Sequence, residues 1–263
     1  MKGLTSATIT PNQKPRRGLG SSTAASWCWS LLSAMGESCL MADLQVVPWI
    51  LAIPVKRTAI AKSRLAAAYP QHRPELARAF AVDTTAAALA SGLVRAVLVV
   101  TDDPVVAADV TAVGAHVVPD LAADGLNGAL RHGATIAAVE FPGHGVAALS
   151  ADLPALRPAE LTAVLAACTA PRSFVIDQPG TGTTLLAATA GVELDPRFGI
   201  GSALAHQASG AVPIDLPNMD SVRRDVDTAA DLAHAVQLGV GPATADVMSL
   251  VLGAATGTEG LAC

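Results

Sequence analysis

The chain has 263 residues, 51% of them hydrophobic and 15% charged, with a formal net charge of −5 at pH 7, enough for one large domain, or one domain with appendages, around a substantial core. The acidic balance argues against a nucleic-acid backbone as partner, and aromatics at 3% are too few for base-stacking platforms. The mean hydropathy of +0.45 owes much to alanine, and no run approaches the roughly 18 apolar residues of a membrane span, so no membrane association is expected.

Residues 1–45 are rich in Ser, Thr and Gly and show no sustained period. Arg16 and Arg17 followed by WCWSLLSA have the outline of an export signal, but serines break the apolar segment and no clear small-residue cleavage site follows. An N-terminal extension over 1–45 is expected, disordered or the product of a mis-assigned start, since Met41 stands just before the first organised segment. The main domain is expected over 46–252, with a C-terminal tail over 253–263. Cys28, Cys39, Cys168 and Cys263 form no CxxC pair, so reduced thiols in a cytoplasmic protein are expected rather than a metal site or disulfides.

Beyond residue 48 the pattern becomes regular. WILAIPV (49–55) is an apolar run of strand length, and the polar loop KRTAIAKSR follows it. PELARAFAVDTTAAALAS (74–91) has helical spacing, with proline at its start and Gly92 just past its end. RAVLVVT (95–101) reads as a second strand, DDPVVAADVTAV as a short helix closed by Gly114, and AHVVPD (115–120) as a third strand. NGALRHGATIAAVE (127–140) reads as helix, GVAALSAD (145–152) as strand and RPAELTAVLAACTA (157–170) as helix. SFVID and TTLLAAT are strands on either side of a Gly/Thr-rich loop; GSALAHQASG is a short helix, AVPIDL a strand and TAADLAHAVQLG (228–239) a helix. No internal repeat is evident. Continuous apolar strands separated by helices predict an α/β fold, a mainly parallel twisted sheet covered on both faces. In such sheets, ligands bind beyond the carboxyl ends of the strands.

Several clusters fall at those ends. In PVKRTAIAKSRL, Lys56, Arg57, Lys62 and Arg64 lie within nine positions. They form either a solvated basic loop or one that neutralises a triphosphate; neither GxxxxGK[ST] nor GxGxxG is present here. In LSADLP, Asp152 ends an apolar strand and reads as a turn aspartate or a magnesium ligand. In RRDVDT, Asp225 and Asp227 point the same way if the backbone is extended, calling for a divalent ion or a basic partner; alternatively Asp227 caps the helix that follows. Asn127 of DGLNGAL reads as an N-cap or as a reader of a nucleobase edge. IDQPGTGTT reads as an anion-holding loop. In LDPRFGIGSALAH, Gly199, Gly201 and Ser202 lead into a helix whose free N–H groups and serine hydroxyl form an anion site, with Arg197 as a nearby cation and His206 as a helix-surface or packing residue.

The order PVK…AKSRL, GLN.AL, ADLP, D…GTGTT, LDPRFG.GS…H and DVDT..DL, spanning residue 48 to about Val251, resembles the guanylyltransferases of coenzyme F-420 biosynthesis, in particular their bacterial phosphoenolpyruvate branch. The resemblance implies a nucleotidyltransferase fold, of the type seen in nucleotide-diphospho-sugar transferases, with GTP as substrate and Mg(II) as cofactor. By motif it implies that phosphoenolpyruvate is bound by Thr183, Gly199 and Ser202. Lys56, Lys62 and Arg64 would act on the nucleotide phosphates, and Asp152, Asp225 and Asp227 would hold the metal. The implied reaction transfers GMP to the phosphate of phosphoenolpyruvate and yields enolpyruvoyl-2-diphospho-5'-guanosine for the next transferase of the pathway. A 2-phospho-L-lactate, 3-phosphoglycerate, sugar-phosphate or molybdopterin acceptor is the near alternative. A glycosyltransferase and a non-catalytic GTP-binding domain are the distant ones. The sequence leaves a homo-oligomer open.

Overall fold

The computed structural model describes residues 48–56, 63–121 and 124–257. The N-terminal extension, the centre of the basic loop with Arg57 and Lys62, and residues 258–263 lie outside the described residues.

The strands are β1 (Trp49–Pro54), β2 (Val94–Thr101), β3 (His116–Pro119), β4 (Gly145–Leu149), β5 (Arg172–Ile176), β6 (Thr183–Ala188) and β7 (Val212–Pro213). A 3-10 turn, Ser63–Ala67, precedes α1 (Arg73–Leu89). The other helices are α2 (Pro104–Ala112), α3 (Gly125–Glu140), α4 (Pro158–Ala167), α5 (Ser202–Ala208), α6 (Asp220–Arg223), α7 (Ala229–Leu238) and α8 (Pro242–Gly257).

The described strands make one sheet in the order β3-β2-β1-β4-β6-β5-β7. Four of its six pairings are parallel, so the mainly parallel sheet expected from the apolar runs is what forms. The exception is β6, antiparallel to both neighbours. Residues 177–182 are too few for the dozen or so a parallel crossover needs, so β5 and β6 close as a hairpin.

Both faces are covered, which is why β1 is apolar at successive positions. Leu51 and Ile53 pack with Ala81 of α1, Val106 of α2 and Leu161 of α4. On the opposite face Ile50 meets Ala129 and Ala137 of α3, while Ala52 meets Leu130 of α3 and Ala203 of α5. Helix α3 lies so close to the sheet that a Cβ at Gly133 would stand 2.9 Å from Val100 and 3.2 Å from Ala52. Glycine is needed there for contact rather than for backbone freedom.

Helix α8 does not stand out in the sequence. The buried carboxylate of Asp83, on α1, accepts the N–H groups of Ala243 (3.0 Å) and Thr244 (2.8 Å) and so caps α8 from a distant helix. Helix α7 starts differently from expectation: its N-cap is Thr228, in a reciprocal capping box with Asp231, and not Asp227. Among the described residues no helix is long and apolar enough to cross a membrane.

Candidate active site

The carboxyl ends of β1, β4 and β5 open onto one edge of the sheet. Because β6 runs against β4, its first residues reach the same edge: Leu149 is level with Leu185, and the Ser150 N–H donates to the Thr184 carbonyl at 2.8 Å. Lys56, Asp152 and Thr183, far apart in the chain, are thereby assembled by strand direction alone.

The RRDVD segment is stitched between two of these loops. Arg223 donates to the carbonyls of Ile176 (3.1 Å) and Asp177 (3.2 Å) and accepts, at its own carbonyl, the Gln178 N–H (2.9 Å). The Val226 N–H donates to the Asp152 carbonyl at 3.0 Å. Val226 is buried, whereas Asp225 and Asp227 on either side of it are half-buried, so the two carboxylates project away from the core, as the DxD alternation implies.

The GTGTT hairpin is organised by its own aspartate. Asp177 accepts the Thr181 N–H at 2.9 Å, and a Cβ on Gly182 would overlap the Asp177 carboxylate. The N–H groups of Thr181 and, at 3.1 Å to the Asp177 carbonyl, Gly180 are thereby spent within the loop itself. The start of α5 differs from expectation. The N–H of Ser202 donates to Gly199 and that of Ala203 to Thr181. Those two amides are spent on the protein.

The LDPRFG turn is held from three directions. Asp195, at a positive φ of 48°, accepts from Arg172 (2.7 Å) and from Arg197 (3.2 Å). Burial pushes the Asp195 carboxyl up, but those two guanidinium bonds outweigh it and hold it below the usual range. The Arg197 side chain is thus engaged in bracing the turn, a correction to its reading as a cation for the ligand. Asn127 is corrected likewise: at the third residue of α3 it is not an N-cap, and its amide pairs twice with the backbone of Phe198, accepting the N–H at 2.8 Å and donating to the carbonyl at 2.9 Å. The oxygen and nitrogen of its amide together clamp the turn.

His206 is fully buried. One ring nitrogen, Nε2, accepts the Arg197 N–H at 2.9 Å; the other, Nδ1, lies 2.9 Å from Thr183 Oγ1. In sequence it reads as a helix-surface or packing residue, and the surface alternative fails. Its separation from Ser202 by four residues, which puts both on one face of α5, was the available signal.

Two cavities flank this edge. One, of about 240 Å³, is lined by Lys56 and Asp152 together with Leu126, Leu130 and Phe198. The other, of about 400 Å³, is lined by Arg64, Thr181, Arg224, Asp225 and Asp227. The expected metal triad is thus divided, with Asp152 on one cavity and the DVD pair on the other, joined by the Val226–Asp152 hydrogen bond. Among the described residues, no three His, Cys, Asp or Glu side chains are gathered closely enough to cage an ion. Thr183 and Ser202 are both buried. Gly199, with φ at 136°, opens the turn beside Ser202.

This mixed, mainly parallel sheet covered by helices on both faces is a nucleotidyltransferase fold. The same fold occurs in a solved structure described as a nucleotide-diphospho-sugar transferase from Desulfovibrio desulfuricans G20, at 15% identity and a TM-score of 0.51 over 70% of this chain and 84% of that one. Within this class the chain belongs to the family described as guanylyl transferase CofC like, whose pattern matches residues 49–250. It is 56% identical over 210 residues to the phosphoenolpyruvate guanylyltransferase of Streptomyces scabiei, covering 78% of this chain and 97% of that protein. It is 55% identical over 216 residues to the protein of the same name from Salinispora arenicola, covering 81% and 97%.

Proposed function

We propose that this chain transfers GMP from GTP to phosphoenolpyruvate, a step of coenzyme F-420 biosynthesis. The observation that carries this reading is the meeting at one sheet edge of Lys56 and Asp152 (one cavity), Arg64 and the DVD pair (the other), and Thr183 in the hairpin to which the start of α5, with Ser202, is hydrogen-bonded. The similarity to guanylyltransferases along nearly their whole length supports it.

A phosphate oxygen of phosphoenolpyruvate attacks the α-phosphorus of GTP. A new P–O bond forms as the bond from that phosphorus to the bridging oxygen breaks, and pyrophosphate leaves with the electron pair. The nucleophile is already an anion, so no side chain has to remove a proton; orientation and charge neutralisation do the work. Lys56 and Arg64 neutralise the nucleotide phosphates and the departing pyrophosphate. Lys62, by its place in the same loop, adds a third charge. Thr183 and Ser202 donate hydroxyls to the acceptor, and Gly199 gives it room at the backbone. Asn127 acts at one remove, by fixing Phe198 at the wall of the first cavity.

The oxygen-only donor set of Asp152, Asp225 and Asp227 suits Mg(II), which keeps much of its shell for water and phosphate oxygens and does not require a closed protein cage. When bound, it would supply charge neutralisation at the phosphates; these aspartates would hold it. Incubation with GTP, Mg(II) and, in separate reactions, phosphoenolpyruvate, 2-phospho-L-lactate and 3-phosphoglycerate tests the proposal. Pyrophosphate release and a product of the mass of enolpyruvoyl-2-diphospho-5'-guanosine are expected with the first. No release with any of the three would overturn it.

A further inference from the structure

We propose that His206 is a positioning residue that fixes the Thr183 hydroxyl as a donor toward the acceptor's anionic groups. The inference rests on hydrogen-bond directions at a buried pair. The backbone N–H of Arg197 donates to Nε2 of His206 at 2.9 Å. A ring nitrogen accepts only when it carries no proton, so the ring is neutral and its single proton sits on Nδ1. That N–H, 2.9 Å from Thr183 Oγ1, must donate to it. The hydroxyl oxygen is thereby an acceptor for His206, and its own hydrogen is turned elsewhere.

The choice of tautomer decides what Thr183 offers a ligand. With the proton on Nε2, the ring would present a lone pair to Thr183. The hydroxyl hydrogen would turn inward, leaving oxygen lone pairs facing an incoming phosphate or carboxylate. With the proton on Nδ1, the same hydroxyl attracts an anion. The main-chain N–H of the LDPRFG turn therefore sets the polarity of a side chain in the GTGTT hairpin, through a ring that spans the two motifs.

The surroundings keep the ring in this state. It is fully buried, with Phe198 edge-on at 5.1 Å and Phe174 tilted at 5.8 Å between ring centres. The charged groups that act on it are Asp195, Arg197 and Arg172. Burial, together with the two arginines, outweighs the pull of Asp195 and lowers the imidazole to about 4. The ring stays neutral at physiological pH and acts as a fixed donor rather than as an acid or base.

The identity of the anion rests on the proposed function; the direction of the hydrogen bond does not. Two experiments separate them. In wild-type protein labelled with nitrogen-15 at histidine, the His206 shifts are expected to show a protonated Nδ1 and a bare Nε2, unchanged from pH 8 to 5.5. A proton on Nε2, or titration near the ordinary histidine value, would overturn the inference even in an active enzyme. Kinetically, His206→Leu is expected to raise the KM for phosphoenolpyruvate about tenfold or more, in line with losing a donor to a charged group, with the KM for GTP unchanged. His206→Asn, whose amide N–H can take the place of Nδ1–H, is expected to recover much of that loss. Equal losses in the two variants, or a parallel rise in both KM values, would reduce His206 to a packing residue. If wild-type protein released no pyrophosphate with phosphoenolpyruvate, the proposed function would fail, and the nitrogen shifts would still decide the role of His206.

Discussion

The carbonyl of Asp152 accepts the N–H of Val226 at 3.0 Å, and this single backbone bond ties the loop after β4 to the segment that carries Asp225 and Asp227. The bond uses main-chain atoms, so altering the Asp152 side chain leaves it in place. Asp152→Asn is therefore expected to keep the fold, while its rate of pyrophosphate release falls by ~10²–10³, the scale of losing one charge-stabilising group. Asp225→Asn and Asp227→Asn are each expected to raise the Mg(II) concentration giving half-maximal rate. A wild-type rate from well-folded Asp152→Asn would remove that carboxylate from the mechanism.

The Gly182–Asp177 contact makes a different prediction. A methyl at Gly182 has to displace the carboxylate that holds the Thr181 N–H. Gly182→Ala should then cost about 1–3 kcal/mol in a urea melt, the range for a displaced buried hydrogen-bond partner, and weaken acceptor binding by moving Thr183. Gly180→Ala meets open space but a positive φ of 83°, so its smaller cost should be one of backbone strain, with little change in KM. The two effects also differ in coupling: adding Gly182→Ala to Asp177→Ala should cost little more than Asp177→Ala alone, because the clash is gone.

Asn127 fastens the Phe198 backbone at both its N–H and its carbonyl. In Asn127→Leu the two backbone groups lose that partner, at about 1–3 kcal/mol each if they remain buried and unsatisfied. The Phe198 ring, which walls the first cavity, is then free to shift. The expected outcome is a higher KM for substrate at nearly unchanged kcat, together with a lower melting temperature. If Asn127 instead read the base, Asn127→Leu would leave stability unchanged and relax the preference for GTP over ATP.

The apolar runs at 49–55 and 95–101 made the parallel centre of the sheet legible, since only strands buried on both faces are apolar at every position. The antiparallel direction of β6 was not anticipated, although the short gap between SFVID and TTLLAAT leaves room only for a hairpin. What composition could not reveal was how polar groups were committed. GTGTT read as an anion-holding loop with no hint that Asp177 takes up its Thr181 N–H. Arg197 looked like a free cation because its partner Asp195 is aligned only by the turn. Asn127 and Phe198 are 71 residues apart, and Asp83 caps a helix that begins 159 residues later (242 − 83). Such long-range hydrogen bonds leave no local period. His206 was the near miss: the alanine-rich helix around it hid a buried polar ring.

The buried imidazole also has a consequence for stability. In the folded chain His206 is lowered to about 4, against an unfolded value of about 6.5. Between these values the unfolded chain binds a proton that the folded chain does not, so acid favours unfolding. The stability contributed by keeping the ring neutral is fully present above about pH 6.5 and is lost as pH falls toward 4. Asp195 acts in a lower range: its carboxyl is held below the ordinary value of 3.8, so its contribution persists until the pH falls below that value. The urea midpoint of the wild-type protein is thus expected to fall between pH 6.5 and 4.5 more steeply than that of His206→Asn, which has no ring to protonate. The difference between the two curves isolates the histidine from the general titration of surface carboxylates. Parallel curves across that window would mean that the ring takes up its proton without unfolding the chain, and that Nε2 is not held as an acceptor by the Arg197 N–H.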